Sequence, residues 1–281
     1  MSVFRPSATA LITGGASGIG LAVAQLCRRH GMKVAVADWN SENLAKAKQT
    51  LGDKSPEEVE TYQLDVSKIE QWKDLRDKVG KKFGEIDLLM LNAGIGLRGT
   101  WGDEEYFQKI LETNLFGVVN GLNTFAPSFQ SRTSSSPASI IITGSKQGIT
   151  NPPGNPAYNA SKSAVKTLAE HLSYDLRGTS TSVHLLVPGW TFTGLSGGGP
   201  GSSKEKPAGA WSPAQVAEFM EKKMKEGKFY IICPDNDVTE DKDKRRMLWS
   251  VGDIVYGRPP LTRWRDEYKA EAEEWMAKQK I

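Results

Sequence analysis

The sequence predicts an α/β fold, a doubly wound parallel sheet of about seven strands with helices on both faces. Three observations carry this. Short apolar runs alternate with amphipathic stretches along the chain. Several runs are continuously apolar, such as IDLLML at 86–91 and SIIIT at 139–143, as strands covered on both faces must be. A glycine-rich turn joins the first run to the first helical pattern.

The runs at 8–13, 33–38, 59–64, 86–91, 139–143, 182–187 and 229–232 read as strands. Stretches at 19–29, 42–51, 68–83, 104–125, 157–176 and 213–225 suit a helical period. Ser212 followed by Pro213 is a helix start, a cap residue and then proline at the first helical position. Strand, helix, strand in repetition predicts right-handed crossovers. Three segments break the rhythm: a polar loop at 131–137, a stiff Pro/Gly turn at 151–156, and a Gly/Pro-rich stretch at 196–210. No internal repeat or boundary divides the chain. A single domain over 1–281 is expected, with 190–212 as a mobile substrate lid and 234–281 as a C-terminal extension.

Of the 281 residues, 38% are hydrophobic and 25% charged, which is ordinary globular composition. A net charge of +3, spread evenly, argues against a nucleic-acid surface. In the run from Asp241 to Lys280 acidic and basic residues alternate, which reads as a solvated face. Cys27 and Cys233 have no metal-ligand partner nearby in sequence and read as buried free thiols. No metal site is expected. His30, His171 and His184 read as structural. No apolar run reaches the length of about 18 residues that a membrane span needs. The start, MSVFRPSATA, lacks the pattern of a secretory signal, so a cytoplasmic location is expected.

The first strand runs into Thr13-Gly14-Gly15-Ala16-Ser17-Gly18-Ile19-Gly20, and a helix follows. Glycine lets backbone N–H groups approach a pyrophosphate, and the helix N-terminus adds partial positive charge. Asp38 ends the second strand, where a carboxylate can take both ribose hydroxyls of an adenosine and repel a 2′-phosphate. Neither Trp39 nor Asn40 supplies a cation for that phosphate. The reading is a Rossmann-type site for NAD, with NADP less suited.

Further features then fall into order. Asn92-Ala93-Gly94 follows the fourth strand. Ser145 precedes Tyr158 by 13 residues, and Tyr158 and Lys162 form Y-x3-K. Pro188-Gly189 follows the sixth strand, with Thr193 four residues after Gly189. With G-x3-G-x-G at Gly14, Gly18 and Gly20, this closely resembles the short-chain dehydrogenase/reductase family, in its compact single-domain branch, over about residues 8 to 232. The resemblance implies that Thr13, the glycines, Ser17 and Ile19 hold the pyrophosphate, that Asp65 and Val66 flank the adenine, and that Asn92, Ala93 and Gly94 line the centre of the cofactor. It implies Tyr158 as acid or base, Lys162 as its partner, Ser145 as the clamp on the substrate oxygen, and Asn114 as a structural and proton-relay residue. Pro188, Gly189, Thr191 and Thr193 would cover the nicotinamide side.

The residues support that chemistry independently. A tyrosine titrating near ~10 needs help to exchange protons at neutral pH. Lys162, four residues on, shares a helix face with Tyr158 and is expected to lower its pKa. Ser145 can donate to a developing alkoxide; its neighbours Thr143 and Lys146 are less suited by spacing. The pocket walls are expected from Ile95, Leu97, Gln147, Ile149, Pro153, Trp190 and Phe192, with Gln147 and Trp190 touching substrate. They are mostly apolar, which predicts a hydrophobic ketone or secondary alcohol as the small-molecule partner. Helical stretches 104–125 and 157–176 can form the family's dimer interface, so a homodimer is expected; a homotetramer is less supported, because the family's C-terminal glycine turn is absent. Two other readings remain open: a nucleotide-sensing regulator without turnover, and an epimerase or dehydratase of longer relatives.

Overall fold

A computed structural model describes residues 2–53, 55–198 and 203–281. Seven parallel strands form one sheet in the order β3-β2-β1-β4-β5-β6-β7. In chain order these are β1 (Thr9–Thr13), β2 (Lys33–Asp38), β3 (Val59–Gln63), β4 (Leu88–Leu91), β5 (Ala138–Thr143), β6 (Thr181–Val187) and β7 (Tyr230–Ile232). The helices are α1 (Gly18–Arg29), α2 (Ser41–Gly52), α3 (Ile69–Phe83), α4 (Glu104–Leu111), α5 (Gly117–Gln130), α6 (Lys146–Thr150), α7 (Pro156–Asp175), α8 (Pro213–Lys225), α9 (Glu240–Val255) and α10 (Asp266–Lys278).

The continuous apolar runs are explained by two separate cores. Every residue of β1, β4 and β5 is buried. On one face, side chains of α1, α2 and α8 (Val23, Leu44, Val216) pack against Ile12, Val34 and Met90. On the other, Trp72 of α3, Phe125 of α5 and Val165 of α7 pack against Leu11, Leu89 and Ile142. Cys27 and Cys233 are buried free thiols, and burial pushes both up to about 12, which keeps them as unreactive thiols.

Strand order reverses between β1 and β4. Loops leaving these strands diverge and open a crevice at their carboxyl ends, where such sheets bind ligands. At the start of α8, Ser212 and Gln215 form a reciprocal cap with Pro213 at the first helical position.

Two segments differ from expectation. The stretch 104–125 is not one regular helix, because a π-helical turn at Glu112–Phe116 separates α4 from α5. The Pro/Gly turn is preceded by α6, whose five residues are too few for a periodic signal. Among the described residues no helix is long and apolar enough to cross a membrane.

The C-terminal extension forms α9 and α10. Trp249 of α9 is fully buried, meets Trp275 of α10 edge-on at 5.6 Å between ring centroids, and donates to the Thr262 hydroxyl at 2.9 Å. The charged run is not wholly a solvated face. Asp243 is 0% exposed and Asp253 7% exposed, each bound to cations. Charge alternation cannot distinguish a solvated carboxylate from one buried in an ion pair.

Candidate active site

The glycine turn after β1 holds its shape by close packing. Gly14 and Gly18 have φ of +60° and +52°, in the left-handed region. A Cβ on Gly20 would stand 2.2 Å from the Gly14 carbonyl oxygen, so α1 begins closer to the turn than any other residue permits. Ser17 caps α1 without a side-chain hydrogen bond, and no acidic residue occupies the first turn. The first N–H groups of the helix are thus free of competing carboxylates, which suits a pyrophosphate. Ile19 is only partly buried against the core beneath.

Thr13 and Asn92 brace this turn against β4. The Thr13 hydroxyl donates to the Met90 carbonyl and accepts from the Asn92 and Ala93 N–H groups at 3.0 and 3.2 Å. The Asn92 amide donates to the Thr13 carbonyl, and its oxygen accepts from the Thr143 hydroxyl, both at 3.2 Å. The Thr13 hydroxyl is turned inward and ties β1 to β4. The side chain of Thr193, from beyond β6, stands over Gly18; a Cβ there would meet it at 3.2 Å. The strand-six loop therefore closes over the glycine turn.

Asp38 is 7% exposed, with one oxygen accepting from the Ala16 N–H and the other from the Asn40 N–H. Asp65 accepts from the Ser67 N–H and hydroxyl before α3, while Val66 is buried and its carbonyl accepts from Trp72 and Asn120. Asn120 was not anticipated: it fixes the Val66 loop from α5.

Around the proposed chemistry the elements converge. Ser145 caps α6, and its hydroxyl accepts the Gln147 N–H at 3.2 Å. The hydroxyl keeps its own proton to donate, and it is near enough to the Tyr158 phenol to act against the rise of that group's pKa. Tyr158 and Lys162 occupy the first turns of α7. The Lys162 ammonium donates to the Thr143 carbonyl at 2.9 Å and lies 5.9 Å from the Tyr158 ring centroid. A Cβ on Gly148 would stand 2.6 Å from the Lys162 backbone carbon, so glycine lets α6 press onto the turn of α7 that carries Lys162. Gly148 was missed, because only the tertiary contact reveals the need. The Tyr106 hydroxyl, on α4, bonds Asn155 and accepts the Ala157 N–H, which fixes the start of α7.

The electrostatics reverse one expectation. Burial raises the Tyr158 phenol, with the Ser145 hydrogen bond acting against it, and no net lowering by Lys162 results. Burial also lowers the Lys162 ammonium to about 8. Desolvation outweighs the attraction of a cation directed at another oxygen.

Asn114, 0% exposed, lies in the π-helical turn. Its amide accepts the Ile95 N–H at 2.8 Å and donates to the Ile95 carbonyl at 2.9 Å. The wider turn swings this side chain out to clasp the strand-four loop. A Cβ on Gly94 would lie 3.2 Å from the Asn114 oxygen and 3.7 Å from the Lys162 nitrogen, so the three meet at one point.

The expected walls divide. Ile95 packs beside Tyr158, Leu97 is 36% exposed and Trp190 46% exposed. Ile149 instead packs against the core, and Pro153 is exposed. Gln147 is half-buried with its side-chain oxygen unpartnered. Leu195, not anticipated, lies across from Gly96. Thr191 is buried and its hydroxyl returns to the Gly189 carbonyl. The expected lid at 190–212 is pinned at both ends, because Trp211 exchanges backbone hydrogen bonds with Trp190 and Phe192; its residues 199–202 lie outside the described ones.

Comparison with known proteins agrees with this geometry. Residues 8–198 match the family model described as short chain dehydrogenase. The chain is 32% identical over 190 residues to the NAD(+) 15-hydroxyprostaglandin dehydrogenase of Macaca fascicularis, covering 66% of this chain and 69% of that one. A short chain dehydrogenase/reductase from Burkholderia phymatum, solved in complex with NAD, superposes with a TM-score of 0.81 at 29% identity, covering 93% and 98% of the two chains. An alcohol dehydrogenase from Thermococcus sibiricus, solved with 5-hydroxy-NADP, gives 0.69 at 28% identity, covering 78% and 90%. These neighbours, solved with NAD and with an NADP derivative, support a nicotinamide cofactor. The chain belongs to the short chain dehydrogenase family of oxidoreductases.

Proposed function

We propose that the protein interconverts a hydrophobic ketone and its secondary alcohol with NAD(H), with Tyr158 exchanging the proton. The observation that supports this most directly is the meeting of three side chains: the Ser145 hydroxyl, which accepts the Gln147 N–H and is left its own proton to donate, the Tyr158 phenol it influences, and the Lys162 ammonium 5.9 Å from the Tyr158 ring centroid. A carbonyl oxygen placed beside both hydroxyls would receive two hydrogen bonds.

When bound, the nicotinamide supplies or accepts the hydride. The glycine turn and the start of α1 would hold its pyrophosphate, and Asp38 its adenosine ribose. With neither Trp39 nor Asn40 cationic, Asp38 favours NAD over NADP. Lys162 and Asn114, meeting at Gly94, would orient the nicotinamide ribose and lead protons away from Tyr158. Because burial raises its phenol, Tyr158 is a proton donor at neutral pH, which favours carbonyl reduction; oxidation needs the phenolate and gains with rising pH. Ile95, Leu97, Trp190 and Leu195 offer apolar surface for the substrate. The exposed Phe116 and Tyr174 suit a homodimer formed through the α4–α5 and α7 region.

The test follows the absorbance of the reduced nicotinamide with NADH and NADPH against bulky ketones such as α-tetralone and ethyl benzoylacetate. NADH should bind more tightly than NADPH. Tyr158→Phe should bind NADH as the native protein does, yet lose about 10²- to 10⁴-fold in kcat. Full turnover by Tyr158→Phe would overturn the assignment, and tighter binding of NADPH would overturn the role of Asp38.

A further inference from the structure

Ser145 is followed by a buried lysine that the reaction itself does not use. Lys146 is the first residue of α6, and its side chain is 13% exposed. Its ammonium lies 2.7 Å from the Asp243 carboxylate of α9 and 3.1 Å from the Asp235 carboxylate after β7. Those side chains are 0% and 6% exposed. Asp243 also pairs with Arg246 at 3.0 Å, and Arg263 is near enough to feel both.

The cluster joins three segments. The Asp235 oxygen facing Lys146 accepts the Trp190 N–H at 3.2 Å, and its other oxygen accepts the Val238 N–H at 2.8 Å. The Lys146 N–H donates to the Pro188 carbonyl at 3.4 Å. A Cβ on Gly189 would stand 2.9 Å from the Lys146 side chain and from Asp235, so the loop rests directly on the ion pair. Buried charges tolerate little displacement, since moving one leaves its partner unpaired in a dry environment. Hydrogen bonds and ion pairs of this kind lock the rotamers of the side chains they join. Asp235 and Asp243 both lie beyond residue 198, where the family match ends.

We propose that Asp243 is a positioning residue: by holding the Lys146 ammonium it locks the Ser145 turn and the Pro188–Trp190 loop at the distance the reaction needs, which makes the C-terminal extension part of the working site. The proposal rests on the reading of Ser145 as the donor to the substrate oxygen. A small shift of that hydroxyl would lower turnover without touching the adenosine half of the cofactor site.

The experiment compares Asp243→Asn and Lys146→Gln with Asp253→Ala, which breaks a different buried carboxylate of the same extension, one bound to Thr262 and Arg258. Hydrogen exchange should accelerate in peptides covering 143–152 and 187–195 for the first two variants and not for the third, with 9–30 unchanged in all. This readout stands even if no ketone is turned over. With α-tetralone or another ketone that turns over, kcat should fall about 10- to 100-fold in the first two, with NADH affinity kept within about twofold. Lys146→Arg should recover most of the loss. Should Asp243→Asn fail to fold, Lys146→Gln decides alone. Unchanged exchange in the two segments overturns the proposal. So does native kcat in a folded Lys146→Gln, or an equal loss in Asp253→Ala.

Discussion

The glycine turn after β1 and the C-terminal extension each pack against a segment of the candidate site, and they are ordered by different physics. In the first, backbone approaches backbone: Gly14, Gly18 and Gly20 remove side chains, and Thr13 and Asn92 fill the remaining polar needs. In the second, charges are buried and matched: Asp243 with Lys146 and Arg246, Asp253 with Arg258 and Thr262. The contrast suggests a division of labour. A backbone cradle suits a cofactor of fixed shape. An ion-paired brace can be added outside the segment that the family match covers.

The sharpest way to separate the two regions is to change Ser145, which lies between them. On the proposed mechanism, Ser145→Ala should lower kcat by about 10²- to 10³-fold while NADH titrations stay unchanged, because the lost donor would act on the substrate oxygen. Next in size, Asp253→Ala should cost about 3 kcal/mol in urea unfolding, since it leaves Arg258 without its buried partner, yet keep kcat native. A matching loss of kcat would show that the extension acts as one undivided unit.

The third prediction concerns Lys162. Burial lowers its folded pKa to about 8 from 10.5, so the unfolded chain binds more protons between those values. Below pH 8 the penalty for burying the ammonium is complete; as pH rises to 10.5 it disappears. Relative to Lys162→Met, the native protein without added cofactor should therefore gain up to about 3 kcal/mol of stability across that window. A flat difference between the two proteins would refute a buried ammonium. The smallest effect is expected at the far end of the cradle. Asp38→Ser should shift the NADH-to-NADPH affinity ratio by about tenfold toward NADPH, read by fluorescence titration, with little change in kcat.

Much of the glycine turn and the placement of Tyr158 and Lys162 on one helix was legible because those features are tied to local constraints. The central strands, buried on both faces, are continuously apolar, and all seven were evident within a residue or two. Tyr158 and Lys162 share a helix face by spacing alone. Tyr106, Gly148 and Asn120 were not legible, since each matters only through a partner about 50, 14 or 54 residues away in the chain. The π-helical turn around Asn114 escaped because its side chain finds Ile95 only after β4 and α4 have docked. Lys146 looked like a poor candidate beside Ser145, and Asp243 like one more solvated acid.

The order of strands and helices, the glycine turn and the positions of Ser145, Tyr158 and Lys162 were determined by the sequence alone, because periodicity and backbone sterics act between near neighbours. Which charges are buried, which groups the Ser145 hydroxyl meets, and whether the Tyr158 phenol is raised or lowered were decided only by the tertiary structure. Those properties depend on the exclusion of water, and water is excluded by segments that come together only when the chain has folded.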